Sequence, residues 1–237
     1  MRKALIARYD QGKYYWELRS CSYWGEFDKP KVVFPDIAAS SEFTWDSDNH
    51  YLANTAYLLM GNTWVLSVLN SNAVLWFYTQ ISNAIRGGYL RFIRQYVEQI
   101  PVPPASPDQQ RWCERLAEAL IWLNRPEAKK AKNESTGLIA AYFEQWLNGL
   151  VYELFFPGEL HARKLKLFDE TAKLNPPDIA MVPELRILAA LLVLFAKAYV
   201  AIATLCGMLF DLRSLDVVRV IEEVSGSKTE PPVEVEA

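Results

Sequence analysis

The chain has 237 residues, of which 51% are hydrophobic and 13% aromatic, and this composition excludes disorder over most of its length. Its formal net charge of −3 excludes binding to nucleic acid through overall positive charge. Residues 1–100 contain 10 Lys and Arg against 9 Asp and Glu, and the remainder contains 15 against 19. Any nucleic-acid surface is therefore expected in the first half, formed by local clustering.

Cysteine and histidine usage argues against a metal site. The three cysteines lie far apart, no Cys-x-x-Cys pair occurs, and the chain has two histidines, His50 and His161. This pattern predicts a reducing compartment and no structural zinc. Residues 1–10 are polar and do not form a signal peptide, so we expect a cytoplasmic protein.

The first hundred residues carry mixed strand and helix signals. Aromatic or β-branched runs predict strands over residues 13–19, 31–34, 42–45, 51–60 and 89–93. Apolar residues at helical spacing predict one helix over residues 64–81, and Gly87-Gly88 predicts a turn after it.

The second half is predicted to be helical. The proline-rich step at residues 100–107 marks a boundary, after which Ser106, Pro107 and Gln109 form the signature of a capped helix start. Further helices are predicted over residues 107–123, 138–154, 159–174 and 211–224, and the polar tail from Ser225 is predicted to be disordered.

Residues 185–210 form a very apolar stretch that is long enough to cross a bilayer. Arg186 and Lys197 interrupt it, and a lysine in the middle of a bilayer is unfavourable. We therefore interpret the stretch as a buried helix of a helical bundle in which Lys197 pairs with a carboxylate, and expect no membrane partner.

Signatures of catalysis are absent from the sequence. It contains no glycine-rich nucleotide loop, no Gly-x-Ser-x-Gly elbow and no clustered carboxylates for a magnesium ion. Asn175-Pro-Pro-Asp178 is similar to the Asn-Pro-Pro-aromatic loop of amino-methyltransferases, but Asp178 replaces the ring that would stack on an extruded base. We interpret this segment as a loop between helices and predict no catalytic residue and no metal.

Two segments have side chains suited to DNA. In residues 81–93, Arg86 and Arg91 flank Gly87-Gly88, and Asn83 adds an amide. Arginine and asparagine are the side chains that read guanine and adenine edges, and both also bind phosphate. A surface turn with solvated arginines explains the same residues.

The second segment covers residues 19–31, where basic and aromatic side chains alternate. Tyr23, Trp24 and Lys31 are the candidates there. Such a mixture suits a loop that contacts a groove or the DNA backbone. An ordinary connecting loop whose Trp24 covers the edge of the core is the alternative.

Several short runs resemble the TaqI-like C-terminal specificity domain of type IIG restriction enzymes and adenine-specific DNA methyltransferases. The runs are residues 31–37, 51–55, 69–71, 85–92 and 99–103. Residues 142–145, 151–161 and 216–222 are similar to the helical tail of the same large proteins.

The resemblance implies an α+β protein in two parts. Residues 1–104 would form a mixed α/β target-recognition domain, residues 105–224 a C-terminal helical bundle, and residues 225–237 a disordered tail. The implied partners are double-stranded DNA and a methyltransferase catalytic subunit or domain, which would bind S-adenosylmethionine and methylate adenine N6. This sequence has no counterpart of that catalytic domain, so we expect no cofactor in this chain.

Together with this resemblance, the sequence predicts the DNA-recognition module of a restriction–modification system. The predicted DNA-contacting residues are Asn83, Arg86, Gly87, Gly88, Arg91, Tyr23, Trp24 and Lys31. The alternatives are a helical protein-interaction scaffold that does not bind DNA, a methylase remnant, and a membrane-associated helical protein built on residues 185–210.

Overall fold

The computed structural model of the chain describes residues 2–9, 11–17, 21–85, 87–125, 134–201 and 203–226. It is mixed α/β in the first hundred residues and helical afterwards, which confirms the predicted fold class. The strands are β1 (Lys31–Pro35), β2 (Ile37–Ala38), β3 (Thr44–Asp46), β4 (Ala56–Leu59), β5 (Ala84–Ile85) and β6 (Tyr89–Arg91). The helices of this half are α1 (Arg2–Ile6), α2 (Thr63–Leu69), α3 (Asn72–Ile81) and α4 (Arg94–Val97).

The six strands form two small antiparallel sheets. One has the order β3-β1-β4, and its register pairs Val32 with both Trp45 and Leu59. The other has the order β2-β6-β5. β1 and β2 are separated by one residue in the chain, and the buried residues of both sheets belong to one hydrophobic core with those of α2 and α3.

The helices of the second half are longer. They are α5 (Pro107–Asn124), α6 (Glu134–Phe155), α7 (Pro157–Ala162), α8 (Leu167–Thr171), α9 (Glu184–Ala196), α10 (Ala203–Asp211) and α11 (Asp216–Gly226). Helix α5 begins with the predicted capping box, since the Ser106 hydroxyl accepts from the Gln109 amide and the Gln109 side chain accepts from the Ser106 amide.

Several predicted elements differ from the structure. Residues 13–17 form turns instead of a strand, and only residues 56–59 of the predicted strand 51–60 are extended. The predicted helix over residues 64–81 is two helices, because Asn70 ends α2 and the Ser71 hydroxyl caps α3 by accepting from the Val74 amide. The predicted helix over residues 159–174 is likewise divided into α7 and α8.

The apolar stretch 185–210 is bent, with a π-helical turn at Lys197–Ala201 between α9 and α10. Ile187, Leu191 and Leu194 face the core, whereas Leu185 is 99% exposed and Phe210 is 74% exposed. The predicted buried helix is therefore a bent pair of helices whose inner side is buried and whose outer side is exposed.

The predicted partner of Lys197 is also not found. Lys197 is exposed, and the described part of the chain places no carboxylate within ion-pair distance of it. Within the same residues no single helix is long and apolar enough to span a membrane. Only the pair Glu184–Tyr199 and Thr204–Ser214, bent by 76°, reaches that length and composition together. The predicted disordered tail lies outside the described residues from position 227 onward.

Candidate nucleic-acid interface

A β-hairpin formed by β5 and β6 carries three of the predicted contact residues in its described part, Gly87, Gly88 and Arg91. Strand pairing of Ile85 with Tyr89 leaves a three-residue tip, and the Gly88 amide donates to the Ile85 carbonyl at 3.1 Å. Gly87 and Gly88 have φ values of +87° and +77°, which side chains with a Cβ rarely adopt. The two glycines are therefore required by the turn. Arg86, another predicted contact, lies outside the described residues.

Arg91 is exposed at the base of this hairpin. Its side chain is 55% exposed, and its Nε donates to Asp36 Oδ1 over a long 3.4 Å. An exposed pair of this kind contributes little to stability, so the guanidinium can exchange its partner for a phosphate or a base edge. Asn83, just before β5, is also exposed and donates from Nδ2 to the Tyr96 hydroxyl at 3.4 Å.

The backbone beneath Arg91 is held by buried aromatic side chains. The Tyr78 hydroxyl donates to the Arg91 carbonyl at 2.8 Å, and the Tyr78 ring stacks on Phe92 at 4.4 Å between centroids. Burial raises the pKa of Tyr78 to about 12, so its hydroxyl remains a donor at all physiological pH values. The hairpin thus presents Arg91 from a fixed backbone position.

Tyr23 and Trp24 lie on a second surface, formed by the loop before β1. We call this loop, residues 21–30, the aromatic loop. Both are exposed, by 56% and 59%, in a loop that contains the 3₁₀ turn Trp24–Glu26. Trp24 lies 5.1 Å from Tyr51 between ring centroids, and Phe27 stacks on Tyr51 at the same distance. The Tyr51 hydroxyl donates to Asp28 at 3.0 Å and joins the two loops. Tyr51 was missed from the sequence because it lies 27 residues from Trp24.

Lys31 is a correction to the predicted contact set. Its side chain is 0% exposed, and its ammonium lies 2.6 Å from Asp46 Oδ2. The same Nζ donates to the Phe27 carbonyl at 2.8 Å. Lys31 therefore holds the aromatic loop against β3 and does not reach the surface.

Asp46 is the centre of this network. Beside Lys31, it accepts from the backbone amides of Asp48 and His50 and contacts the His50 ring at Nδ1, 2.9 Å away. Burial alone would raise the pKa of Asp46, but the hydrogen bonds from Lys31, His50 and the two amides hold it well below its usual value. His50 and Asp46 were not predicted, although the polar run Asp46-Ser-Asp-Asn-His50 is typical of such a turn.

Asp36 connects the hairpin with the region of the aromatic loop. Its carboxylate binds Arg91, its carbonyl accepts from the Phe92 amide at 2.7 Å, and its amide donates to the Thr55 carbonyl at 2.9 Å. Thr55 directly precedes β4, the strand that lies beside the aromatic loop. Arg91 and the aromatic residues are therefore parts of adjoining surfaces.

The described ranges hold no group of three His, Cys, Asp or Glu side chains that could hold a metal ion. Asp178 of the Asn-Pro-Pro-Asp segment forms a bidentate pair with Arg115 at 2.7 and 2.6 Å and caps the 3₁₀ turn Ile179–Met181. This supports interpreting that segment as a structural loop. His161 binds the buried carboxylate of Glu153 at 2.8 Å, which suits a structural residue.

Comparison with known proteins shows what the first hundred residues of the chain are similar to. Residues 2–102 match the TaqI-like C-terminal specificity domain. A stretch of 113 residues, 46% of this chain, is 30% identical to the type II methyltransferase M.XhoI from Xanthomonas vasicola and covers 21% of that protein. A stretch of 97 residues, 39% of this chain, is 31% identical to the type II methyltransferase M.PaeR7I from Pseudomonas aeruginosa and covers 17% of it. The matched part of the chain thus spans about a fifth of the length of these relatives.

Proposed function

We propose, from the premise that residues 2–102 form a TaqI-like C-terminal specificity domain, that this chain recognises double-stranded DNA for a restriction–modification system. The observation that carries the proposal is the β5–β6 hairpin. It lies inside the matched residues and exposes Arg91 and Asn83 on a backbone fixed by Tyr78. These two side-chain types are suited to reading bases in the major groove.

The reaction is proposed to take place elsewhere. The relatives are named as type II methyltransferases, and the part of each that this chain matches is about a fifth of its length. We propose that a catalytic subunit or domain binds S-adenosylmethionine and methylates adenine N6, while this chain, in the cytoplasm, selects the sequence. Residues 1–104 are assigned to recognition and residues 105–224 to contact with the catalytic partner.

The exposed apolar side chains of the helical half support a protein partner. Leu185, Val193 and Phe210 lie on the outer sides of α9 and α10, where they are in contact with water instead of the core. Exposed apolar clusters on a folded protein are typical of interaction sites. The same observation favours the second candidate function, a helical scaffold that assembles proteins without binding DNA.

The test begins with selection of bound duplexes from a random-sequence pool, followed by measurement of Kd by fluorescence anisotropy. Arg91→Ala should weaken binding to the selected duplex by about 5- to 150-fold, the effect of losing one base contact. Arg111→Ala is the matched control, because Arg111 is also exposed and paired with a nearby carboxylate, Asp108, but lies on α5. It should change Kd by less than about twofold.

Salt dependence separates the two candidate functions. Binding to DNA releases counterions and weakens steeply as salt rises, whereas an apolar helix interface does not. Failure to enrich any duplex at low salt, or equal effects of Arg91→Ala and Arg111→Ala, would contradict the assignment of the hairpin.

A further inference from the structure

We propose that the cleft between the aromatic loop and β4 binds a single unstacked nucleobase of the DNA. The inference rests on the proposed function and deepens it, since it names the form of DNA that this surface recognises. The cleft is lined by Tyr23, Phe27, Asn54, Ala56, Tyr57 and Leu58, among others.

Exposed aromatic rings are concentrated at this place. Tyr23 and Tyr57 line the cleft, Trp24 and Tyr51 lie beside it against the Phe27 ring, and all four side chains are exposed at the surface. Covering a water-exposed aromatic ring with another flat apolar ring lowers the free energy, because apolar surface is removed from water. Stacking on aromatic side chains is the general way in which proteins bind bases that have left the helical stack.

The dimensions of the cleft suit one base. Its volume of about 470 Å³ lies within the range of small-molecule sites, about 300–1,000 Å³. Such a volume accommodates a base with its sugar. The cleft is open to solvent, so a base that remains joined to a DNA strand can enter it.

The polar groups at the cleft can recognise the edge of a base. Strand β4 is an outer strand of the sheet β3-β1-β4, so one side of its backbone pairs with β1 and the other is turned away from the sheet. Backbone amides and carbonyls on an outer strand offer alternating donors and acceptors. Asn54 adds a side-chain amide at the same edge.

The charges around the cleft favour a base over a phosphate. Lys29 is paired with Glu26 at 2.9 Å, Lys31 is buried against Asp46, and Asp28 accepts from Tyr51. In the described part of this loop the lysines are therefore matched by carboxylates. A neutral aromatic surface binds a neutral ring, while Arg91 on the hairpin remains available for the duplex part of the same DNA.

The walls of the cleft are also held in place before any ligand binds. The Lys31 ammonium fixes the Phe27 carbonyl, and the Phe27 ring stacks on Tyr51 with an interplanar angle of 22°. A site already in its binding conformation loses less conformational entropy on binding, which strengthens affinity.

The experiment compares two duplexes of the same sequence, one intact and one with a single bulged 2-aminopurine nucleotide. The full chain should bind the bulged duplex more tightly, and the 2-aminopurine fluorescence should be quenched by stacking. Tyr23→Ala should lower the preference for the bulged duplex by about 5-fold or more, the effect of losing one stacked ring. Affinity for the intact duplex should fall by a smaller factor than affinity for the bulged duplex, since only the bulged duplex offers a base to the cleft.

Two controls separate stacking from general damage. Tyr23→Phe keeps the ring and should keep both preference and quenching. Tyr14→Ala removes another exposed tyrosine, one that stacks on Trp16 and does not line the cleft, and should have no effect on either. Thermal unfolding of each variant checks that the fold is retained.

The outcomes also separate this inference from the proposed function. If the chain binds intact and bulged duplexes equally, or if Tyr23→Ala keeps the quenching, the base site is wrong and duplex recognition stands. If it binds neither duplex even at low salt, both proposals are overturned. A preference that depends on the ring at Tyr23 would support both.

Discussion

At the scale of single residues, burial decides what a charged side chain does. Lys31 stands in a basic and aromatic segment that suits DNA contact, yet it is the first residue of β1 and its side chain points into the protein. There its ammonium neutralises Asp46, which in turn orients His50 and the turn around it. A residue predicted to bind DNA is instead the support of the aromatic loop.

The stability of the protein should depend strongly on this buried pair. Lys31→Met should lower the free energy of unfolding by about 3–5 kcal/mol, because it leaves the carboxylate of Asp46 buried without its counter-charge. Urea denaturation of the full chain measures the change. Lys29→Met is the matched control, since Lys29 is exposed and paired within its own loop, and it should change stability by less than about 1 kcal/mol. Equal effects of the two substitutions would contradict the structural role of Lys31.

At the scale of elements, helix α6 shows how one small residue permits close packing. Gly149 lies where α8, α10 and the following 3₁₀ turn approach α6, and a Cβ atom there would come within 2.8 Å of Leu209 and 3.1 Å of Leu212. Gly137, on the same helix, is exposed and has open space at its Cβ position. The two glycines therefore differ only in what surrounds them.

Alanine substitutions at the two glycines should have opposite signs. Gly149→Ala should destabilise the fold by about 1–3 kcal/mol, because the leucines around it must move out of close packing. Gly137→Ala should stabilise it by up to about 1 kcal/mol, since alanine favours the helix and meets nothing there. Shifts of the thermal midpoint measure both. If Gly149→Ala raised the thermal midpoint, the close approach of α8 and α10 to α6 at Gly149 would be contradicted.

At the scale of the whole molecule, the core continues across the proline-rich step at residues 100–107. The family match ends at residue 102, but α2 packs on α5, and α3 packs on α6 and α11. The Asn148 side chain accepts from the Asn72 amide at 2.8 Å and ties the start of α3 to α6. The helical half therefore covers apolar surface of the half that contains the hairpin.

A fragment of residues 1–104 should consequently fail to fold by itself. Without α5, α6 and α11, the buried faces of α2 and α3 would be exposed to water, and the remaining core would be small for its chain length. The full chain should unfold in one cooperative thermal transition, and the fragment should show none, as followed by circular dichroism. A cooperative transition in the fragment would instead demonstrate two independent domains.

The sequence by itself determined the features whose signals are local. The capping box at Ser106 and Gln109, the glycine turn at 87–88 and strand β1 each depend on residues within a few positions of one another, and all three are present in the structure. The strand predicted over residues 13–19 is absent from its described part, residues 13–17, because an aromatic run alone does not provide a neighbouring strand to pair with. The break between α2 and α3 was not predicted, because apolar residues at helical spacing occur on both sides of Asn70 and Ser71.

Only the tertiary structure decided which side chains share a surface. The pairing of β1 with β4 brings Tyr57 beside Tyr23, and the Asp28–Tyr51 hydrogen bond brings Tyr51 beside Trp24, although about thirty residues of chain separate the members of each pair. The inward direction of Lys31 depends on the same pairing, since Asp46 reaches it from β3. The physical reason is that strand pairing and burial are contacts between distant parts of the chain, and the spacing of residues along one segment does not determine them.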